Sequence, residues 1–335
     1  MSNHLTFPSD IRSVLSSNAR IEKETHAGLW LDKYIEKQMR EDKSSRSQFV
    51  QEVATLTTST TYQMFYTRWE QSLKKFDAKT RRAMVKGRMI VGLGSESVLE
   101  TSICLHRTYG VPYIPGSALK GLAANYAQQH LSTSGDWKKG GKYHQVIFGD
   151  TDEAGYLTFF DALYIPGTGH NKKALHTDVI TAHHPDYYQG LKPPTDKDSP
   201  NPVPFLTATG EYLVALAAPD LEKPTDWITI TFKLLELALQ TLGIGAKTSS
   251  GYGRMELLVD PEIKKAEGYK QEISAVKNIA SEMPNHHRRW QQIKSPEARM
   301  LLAKTIVARV RQTGSEKAVA EKPWYKELQA FIGEE

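Results

Sequence analysis

Residues 243–259 read GIGAKTSSGYGRMELLV. Four glycines, one lysine and three neighbouring hydroxyl residues precede a strand-forming run, and the reading of this stretch decides how the whole chain is understood. It is not a nucleotide loop. The G-x-x-x-x-G-K-[ST] spacing is missing, and the segment runs from a helix into a strand, whereas dinucleotide loops run from strand to helix. Two readings remain open at this level. One is a turn that merely ends a helix. The other is a path on which Gly243, Gly245, Gly251 and Gly253 let exposed N–H groups face an anion, with Lys247 adding a point charge.

Working upstream, Phe232, Leu235, Leu239 and Leu242 fall on one face of a helix expected from Thr225 to Leu242, and Gly243 stops it at C′. GEYLVALAAP (210–219) and GYLTFFDALYI (155–165) read as strands, and RMELLV closes the set. AMVKGRMIVGLG from residue 84 reads as a buried strand, and SVLETSICLHRTYGVPYIPGS as a second extended segment. SALKGLAANYAQQHL then turns helical with Ser117 as N-cap. Lys120 on its first turn opposes the helix dipole unless an anion is there. Residues 1–83 read as mainly helical, with KSSRS and TLTTSTT as connections or a partner-facing surface. Residues 84–260 form a core carrying a long insertion at about 166–203, too long for a plain connection. Residues 261–335 form a helical appendage in which Ser295–Pro296 starts a helix with a Leu302, Ile306, Val310 stripe.

Composition excludes several classes. No apolar run approaches the ~20 residues of a membrane helix, and MSNHLTFPSD has none of the features of a signal peptide. A single cysteine, Cys104, leaves no intrachain disulfide and no multi-cysteine zinc site, and is expected to be a small buried residue in an apolar strand. A cytoplasmic protein without membrane partners is expected. The net charge of +5 concentrates in two runs. The first holds Arg68, Lys74, Lys75, Lys79, Arg81, Arg82, Lys86 and Arg88; the second holds Arg288, Arg289, Lys294, Arg299, Lys304, Arg309 and Arg311. Such runs suit phosphates or serve as solvated faces.

HTDVITAHHPDYY (176–188) gathers His176, Asp178, His183, His184 and Asp186. Two histidines and two carboxylates could ligate a metal or act as acid and base, but their spacing matches no zinc or di-metal signature, so no metal and no cofactor is expected. HNKKALHTD, through Lys172, Lys173 and stacking aromatics, suits RNA contact instead. In FGDTDEAG (148–155) the acidic residues Asp150, Asp152 and Glu153 are explained by turn chemistry.

VPYIPGSALKG and LGIGAKTSSGYGRME, with FFDALYI, HTDVITAHHPDYY and PNPVPFL between them and AGLWLDKY upstream, resemble in order the motifs of the RAMP superfamily of CRISPR proteins. Over about residues 25–260 the likeness narrows to the family of the sixth subunit of the type III-B Cmr effector. The resemblance implies an α+β fold: an RRM-like, ferredoxin-type βαββαβ core with a helical N-terminal region, an insertion and a helical C-terminal appendage. It implies an RNA-binding loop of Gly243, Gly245, Lys247, Thr248, Ser249, Gly251, Tyr252, Gly253 and Arg254, with Ser117 and Lys120 beside it and His183 and His184 in the insertion. It further implies crRNA and target RNA as partners, together with other Cmr subunits, especially the repeating backbone subunit and the first subunit. The chain would cap the filament toward the guide 3′ side in antiviral defence. Target cleavage belongs, in that family, to an aspartate of the repeating subunit; no residue here carries that role over, so no catalytic residue and no enzyme activity are expected. Two other readings stay open: a metal-independent guide-processing endoribonuclease using His106, His183 or His184, and a purely structural protein–protein adaptor.

Overall fold

The computed structural model describes residues 20–34, 43–97, 99, 101–182, 190–193, 195, 201–218 and 224–333. Contacts divide the chain into two compact units that meet between Leu258 and Val259. The first contains helices α1 (Ala27–Lys33), α2 (Lys43–Val53) and α3 (Thr60–Lys75), then β1 (Lys79–Val85), β2 (Tyr113–Ile114), α4 (Gly116–His130), α5 (Lys142–Phe148), β3 (Thr158–Phe159) and β4 (Ala162–Tyr164). It continues through β5 (Leu175–Ala182), β6 (Asn201–Ala208), β7 (Glu211–Ala217), α6 (Pro224–Thr241) and β8 (Met255–Leu258).

The main sheet runs β2-β4-β7-β1-β8, with β3 also on β7, and its pairs are antiparallel. Read along the chain, β1-α4-β4-β7-α6-β8 is a βαββαβ unit, and the spatial order β4-β7-β1-β8 is that of a ferredoxin-type sheet. Strand β7 is buried from Tyr212 onward, because helices cover both faces of the sheet. On one face Ala83, Val85, Tyr212, Val214 and Leu216 pack with Leu119 and Ala123 of α4 and Phe232, Leu235 and Leu239 of α6. On the other, Leu213 and Ala215 lie under Leu73, Tyr66 and Trp69 of α3. Tyr62, on the first turn of α3, donates from Oη to the Tyr164 carbonyl at 2.6 Å. Part of the face that an RRM uses to stack bases is therefore closed here by a helix.

Several sequence-level expectations shift. Strand β1 begins at Lys79, inside the region expected to be helical, and ends at Val85; Gly87, with φ of 84°, turns the chain before Met89 makes only an isolated bridge to Ala208. Arg81 is tolerated on the inner face because its guanidinium lies over the Phe232 ring, 5.1 Å from the centroid. GYLTFFDALYI splits into β3 and β4. KSSRS is not a connection but the start of α2, whose Phe49, Val50 and Val53 are buried. Residue Pro115, not Ser117, is the N-cap of α4; the Gly116 N–H donates 2.8 Å to Asp161 Oδ1, so a carboxylate supplies the negative charge that the helix start favours. Cys104 is half-buried and outside any strand, and burial pushes its thiol up. The insertion holds a second sheet, the β5–β6 hairpin, paired from Leu175↔Ala208 to Ala182↔Asn201. Pro202 and Pro204 disguised β6, and a two-stranded ribbon with a free edge accommodates them. Asp150 accepts from the Asp152 and Glu153 amides at 2.9 Å each, a turn and not a cation site.

The second unit contains α7 (Pro261–Ala275), α8 (Ile279–Gln292), α9 (Pro296–Gln312), α10 (Glu316–Val319) and α11 (Pro323–Gly333). Ser295 caps α9, and Leu302, Ile306 and Val310 are fully buried around Trp290. Its basic run is largely spent internally. Arg289 pairs with Glu272 and Arg311 with Glu316, Arg309 donates to the Val276 carbonyl, and Arg299 stacks on Trp290 and Phe331 at 4.3 and 4.8 Å.

Candidate nucleic-acid interface

Helix α6 ends as its sequence dictates: Gly243, at φ 75°, sends its N–H back to the Ala238 carbonyl at 3.0 Å. From there the chain does not lie bare. Ile244 N–H donates to the Gly253 carbonyl, Ala246 N–H to Ile90 and Gly253 N–H to Arg88, at 2.9, 2.8 and 2.8 Å. The loop thus closes on itself and on the segment leaving β1. A Cβ at Gly245 would overlap the Ile90 carbonyl oxygen, and one at Gly253 the Ile244 carbonyl oxygen. Gly243 and Gly253 are buried, so they shape the loop and do not present themselves to solvent.

What remains accessible is the tip. Lys247, Ser249, Ser250 and Gly251 are exposed. Lys247 takes φ 56° and ψ 33°, a left-handed conformation that costs a side-chain-bearing residue on the order of 1 kcal/mol. Thr248–Ser250 form one 3₁₀ turn, and Gly251 has open space around its α-carbon. Among the described residues, the amides of Lys247, Thr248 and Ser249 have no protein acceptor. Arg254 braces the tip from below, reaching the Gln240 and Thr248 carbonyls at 3.4 Å each.

A polar clasp joins this loop to the hairpin. Tyr252 Oη donates to Asp178 Oδ2 at 2.8 Å, Arg88 Nη1 lies 3.4 Å from the same oxygen, and Arg88 also donates to the Thr177 carbonyl. The Phe205 ring lies 6.2 Å from that of Tyr252. Burial, then the hydrogen bond to Asp178, raises the Tyr252 phenol, with Arg88 opposing. His176 belongs to the same neighbourhood: its imidazole is held below the ordinary value by burial and then by Arg88, His170 and Lys173, against the pull of the Lys173 carbonyl. His170 is 5.5 Å from His176, ring to ring, and Lys172 is exposed beside it. Loop and hairpin are therefore joined side chain to side chain, with Tyr252 and Arg88 meeting on Asp178.

Ser117 and Lys120 start α4 beside Asp161 and Phe159, level with Leu216 and Lys79 in the sheet, whereas the loop enters β8 opposite Val85 at the other end of β1. No hydrogen bond or ion pair among the described residues connects them to 243–254; Lys120 instead acts electrostatically on His144 together with Lys139. His183 and His184 lie outside the described residues. His106 accepts the Thr108 amide at Nδ1, and burial lowers its proton affinity. No cluster of three metal-ligating side chains exists among the described residues, and no described helix is long and apolar enough to cross a membrane. Sequence reading missed the clasp. Arg88 was visible only as one of a basic run, and nothing local paired it with Asp178, 90 positions away.

The loop, the βαββαβ order and the region between them coincide with one family model: the RAMP superfamily model matches residues 82–256. The chain belongs to the RAMP superfamily. This RAMP chain is 32% identical over 249 residues to "CRISPR system Cmr subunit Cmr6" of Pyrococcus furiosus, covering 58% of itself and 72% of that protein. In structure it resembles a chain of "Cryo-EM structure of the Type III-B Cmr-beta bound to cognate target RNA", with TM-score 0.50, 21% identity, and 64% and 73% of the two chains covered. That likeness shows the fold. "Crystal structure of Cmr6 from Pyrococcus furiosus" aligns at 33% identity over 54% of this chain and 98% of that one, with TM-score 0.36.

Proposed function

We propose that this RAMP chain is a non-catalytic crRNA-binding subunit of a type III-B CRISPR ribonucleoprotein. It caps the backbone filament toward the guide 3′ side, next to the repeating backbone subunit and the first subunit, and helps hold the guide–target duplex. The observation that carries this reading is the exposed Lys247 tip, held by a rigid glycine frame and fastened through Tyr252 and Arg88 to the hairpin. A lysine with adjacent free amides suits phosphate contact, which positions RNA without specifying sequence. Guide complexes need that division, because base pairing reads the target. Sequence similarity to the P. furiosus protein supports the same complex. Burial raises the Cys104 thiol, which disfavours it as a nucleophile.

The test is co-purification of the tagged chain from its own cells, followed by sequencing of bound RNA. Guide-length CRISPR transcripts arriving with other Cmr subunits are expected. Recovery of the subunits without RNA would favour the adaptor. Metal-independent cleavage of the labelled transcript by the purified chain alone would favour the endoribonuclease.

A further inference from the structure

The turn between α4 and α5 carries a feature that the glycine loop does not explain. Residues 136–143 read DWKKGGKY. Lys138, Lys139 and Lys142 are exposed and Lys120 is half-buried. None of the four has an ion-pair partner among the described residues. They are displayed by a built turn, not a loose one. Lys138 N–H donates to Gly135 and Gly141 N–H to Lys138, at 3.1 and 2.8 Å, while the Asp136 carbonyl accepts from both Tyr143 and His144 at 3.1 Å. Gly140 is at φ 84°, and a Cβ on Gly141 would come within 2.5 Å of the Asp136 carbonyl oxygen. Half-buried rings anchor the turn to α6: Trp137 to Tyr143 at 5.4 Å, Tyr143 to Trp227 at 5.9 Å.

His144 ties Lys120 into the same surface. It is 6% exposed, with neither ring nitrogen hydrogen-bonded, and after burial the cations that oppose its protonation are Lys139 and Lys120. Asp136 is the turn's own carboxylate and forms no ion pair with these lysines among the described residues, so four like charges outweigh it and repel, an arrangement that an incoming polyanion relieves. Protein interfaces favour arginine and aromatic residues and are depleted in lysine. Four lysines without an arginine, beside partly open indole and phenol rings, fit a phosphate backbone better than an acidic protein.

We propose that Lys120, Lys138, Lys139 and Lys142 form a second RNA-contacting surface, on the side of the sheet covered by α4 and α6, which holds single-stranded RNA by its phosphates. The inference rests on the reading of the chain as an RNA-binding subunit and adds a contact separate from the Lys247 tip. Strand passing this surface is held independently of sequence.

The test is the binding of a labelled single-stranded RNA to the full chain over a salt series, with the parent, Lys247→Gly, and the quadruple variant K120Q/K138Q/K139Q/K142Q. With about 0.7 unit of log–log salt slope per phosphate neutralised on a single strand, the quadruple variant is expected to lose about 2–3 units and to bind at least about tenfold more weakly at low salt. An unchanged slope overturns the proposal. So does an unchanged slope accompanied by weaker recovery of other subunits, which would assign the patch to an acidic protein. If Lys247→Gly lowers the slope and the quadruple variant does not, the RNA reading stands and this surface fails; if neither does, both fail. Should the quadruple variant not fold, acetylation footprinting of the parent decides. RNA is expected to protect Lys138, Lys139 and Lys142 several-fold relative to exposed Lys264 and Lys322, and equal reactivity overturns the proposal.

Discussion

Replacing Lys247 with glycine separates the shape of the loop from the charge proposed to contact RNA. In the structure the residue is left-handed at φ 56°, where a side chain costs on the order of 1 kcal/mol and glycine costs nothing. Glycine also adds unfolded-chain freedom worth about 0.5–1 kcal/mol in the opposite direction. The two terms nearly cancel, so Lys247→Gly should melt within a few degrees of the parent and keep its loop. The ammonium, by contrast, is lost outright. Lys247 is exposed, so its pairing with a phosphate is worth about 0.5–1 kcal/mol, or about two- to fivefold in affinity. Its removal should lower the log–log salt slope by about 0.7 for a single strand. Fluorescence anisotropy over 50–300 mM salt, beside a thermal melt, reads both quantities (an order-of-magnitude salt range set by screening). A variant that folds like the parent and binds RNA with the same affinity and the same slope would refute the role of the tip. A variant that melts far lower would refute the strain reading instead.

Gly245→Ala and Gly253→Ala should each destabilise by roughly 2–4 kcal/mol, because the added methyl meets a carbonyl oxygen; Gly251→Ala, open on all sides, should cost only about 1 kcal/mol of conformational strain, and chemical denaturation orders the three. Asp178→Asn removes the carboxylate that competes for Arg88, so RNA affinity should rise about two- to fivefold while the melt drops slightly; weaker binding would contradict the clasp. Tyr62→Phe leaves the buried Tyr164 carbonyl without its donor and should cost about 1–2 kcal/mol in a denaturant titration. His144 and His286 are buried with lowered proton affinity, so the unfolded chain takes up protons first as the pH falls. Stability should be full above a pH of about 6.5 and decline below it, and His144→Leu, which removes two unpartnered ring nitrogens, should shrink that decline between melts at pH 7.5 and 5.5.

The glycine-rich segment made the core legible in the sequence. Its position after an amphipathic helix and before a strand fixes the last α–β pair, and the motif order supplies the rest of the βαββαβ unit. Less legible were features set by distant partners. The Lys79–Val85 strand carries three basic residues, and Asp77 beside Lys79, Phe232 under Arg81 and Glu211 beside Arg82, 2.5 Å away, make that pattern fit a sheet. Prolines hid β6, since their tolerance depends on a free edge that no local pattern reveals. The glycines themselves were misleading in one respect. Ile90, Arg88 and Gly253 carbonyls consume the amides of Ala246, Gly253 and Ile244, and among the described residues the amides left without a backbone acceptor are those of Gly245 and of Lys247 to Ser249. The basic C-terminal run looked like a phosphate-binding face, yet Glu272, Glu316, Trp290 and Phe331 occupy much of it within its own helical unit.

The central claim is that a lysine-tipped turn grips RNA by its backbone without reading bases. Its most direct test is the affinity of the intact chain for two single-stranded RNAs of equal length and unrelated sequence, each measured over the same salt series. Equal affinities within about threefold and one shared slope are predicted, because phosphate contacts carry no sequence information. A preference above about tenfold for one sequence, or binding that ignores salt, would contradict it.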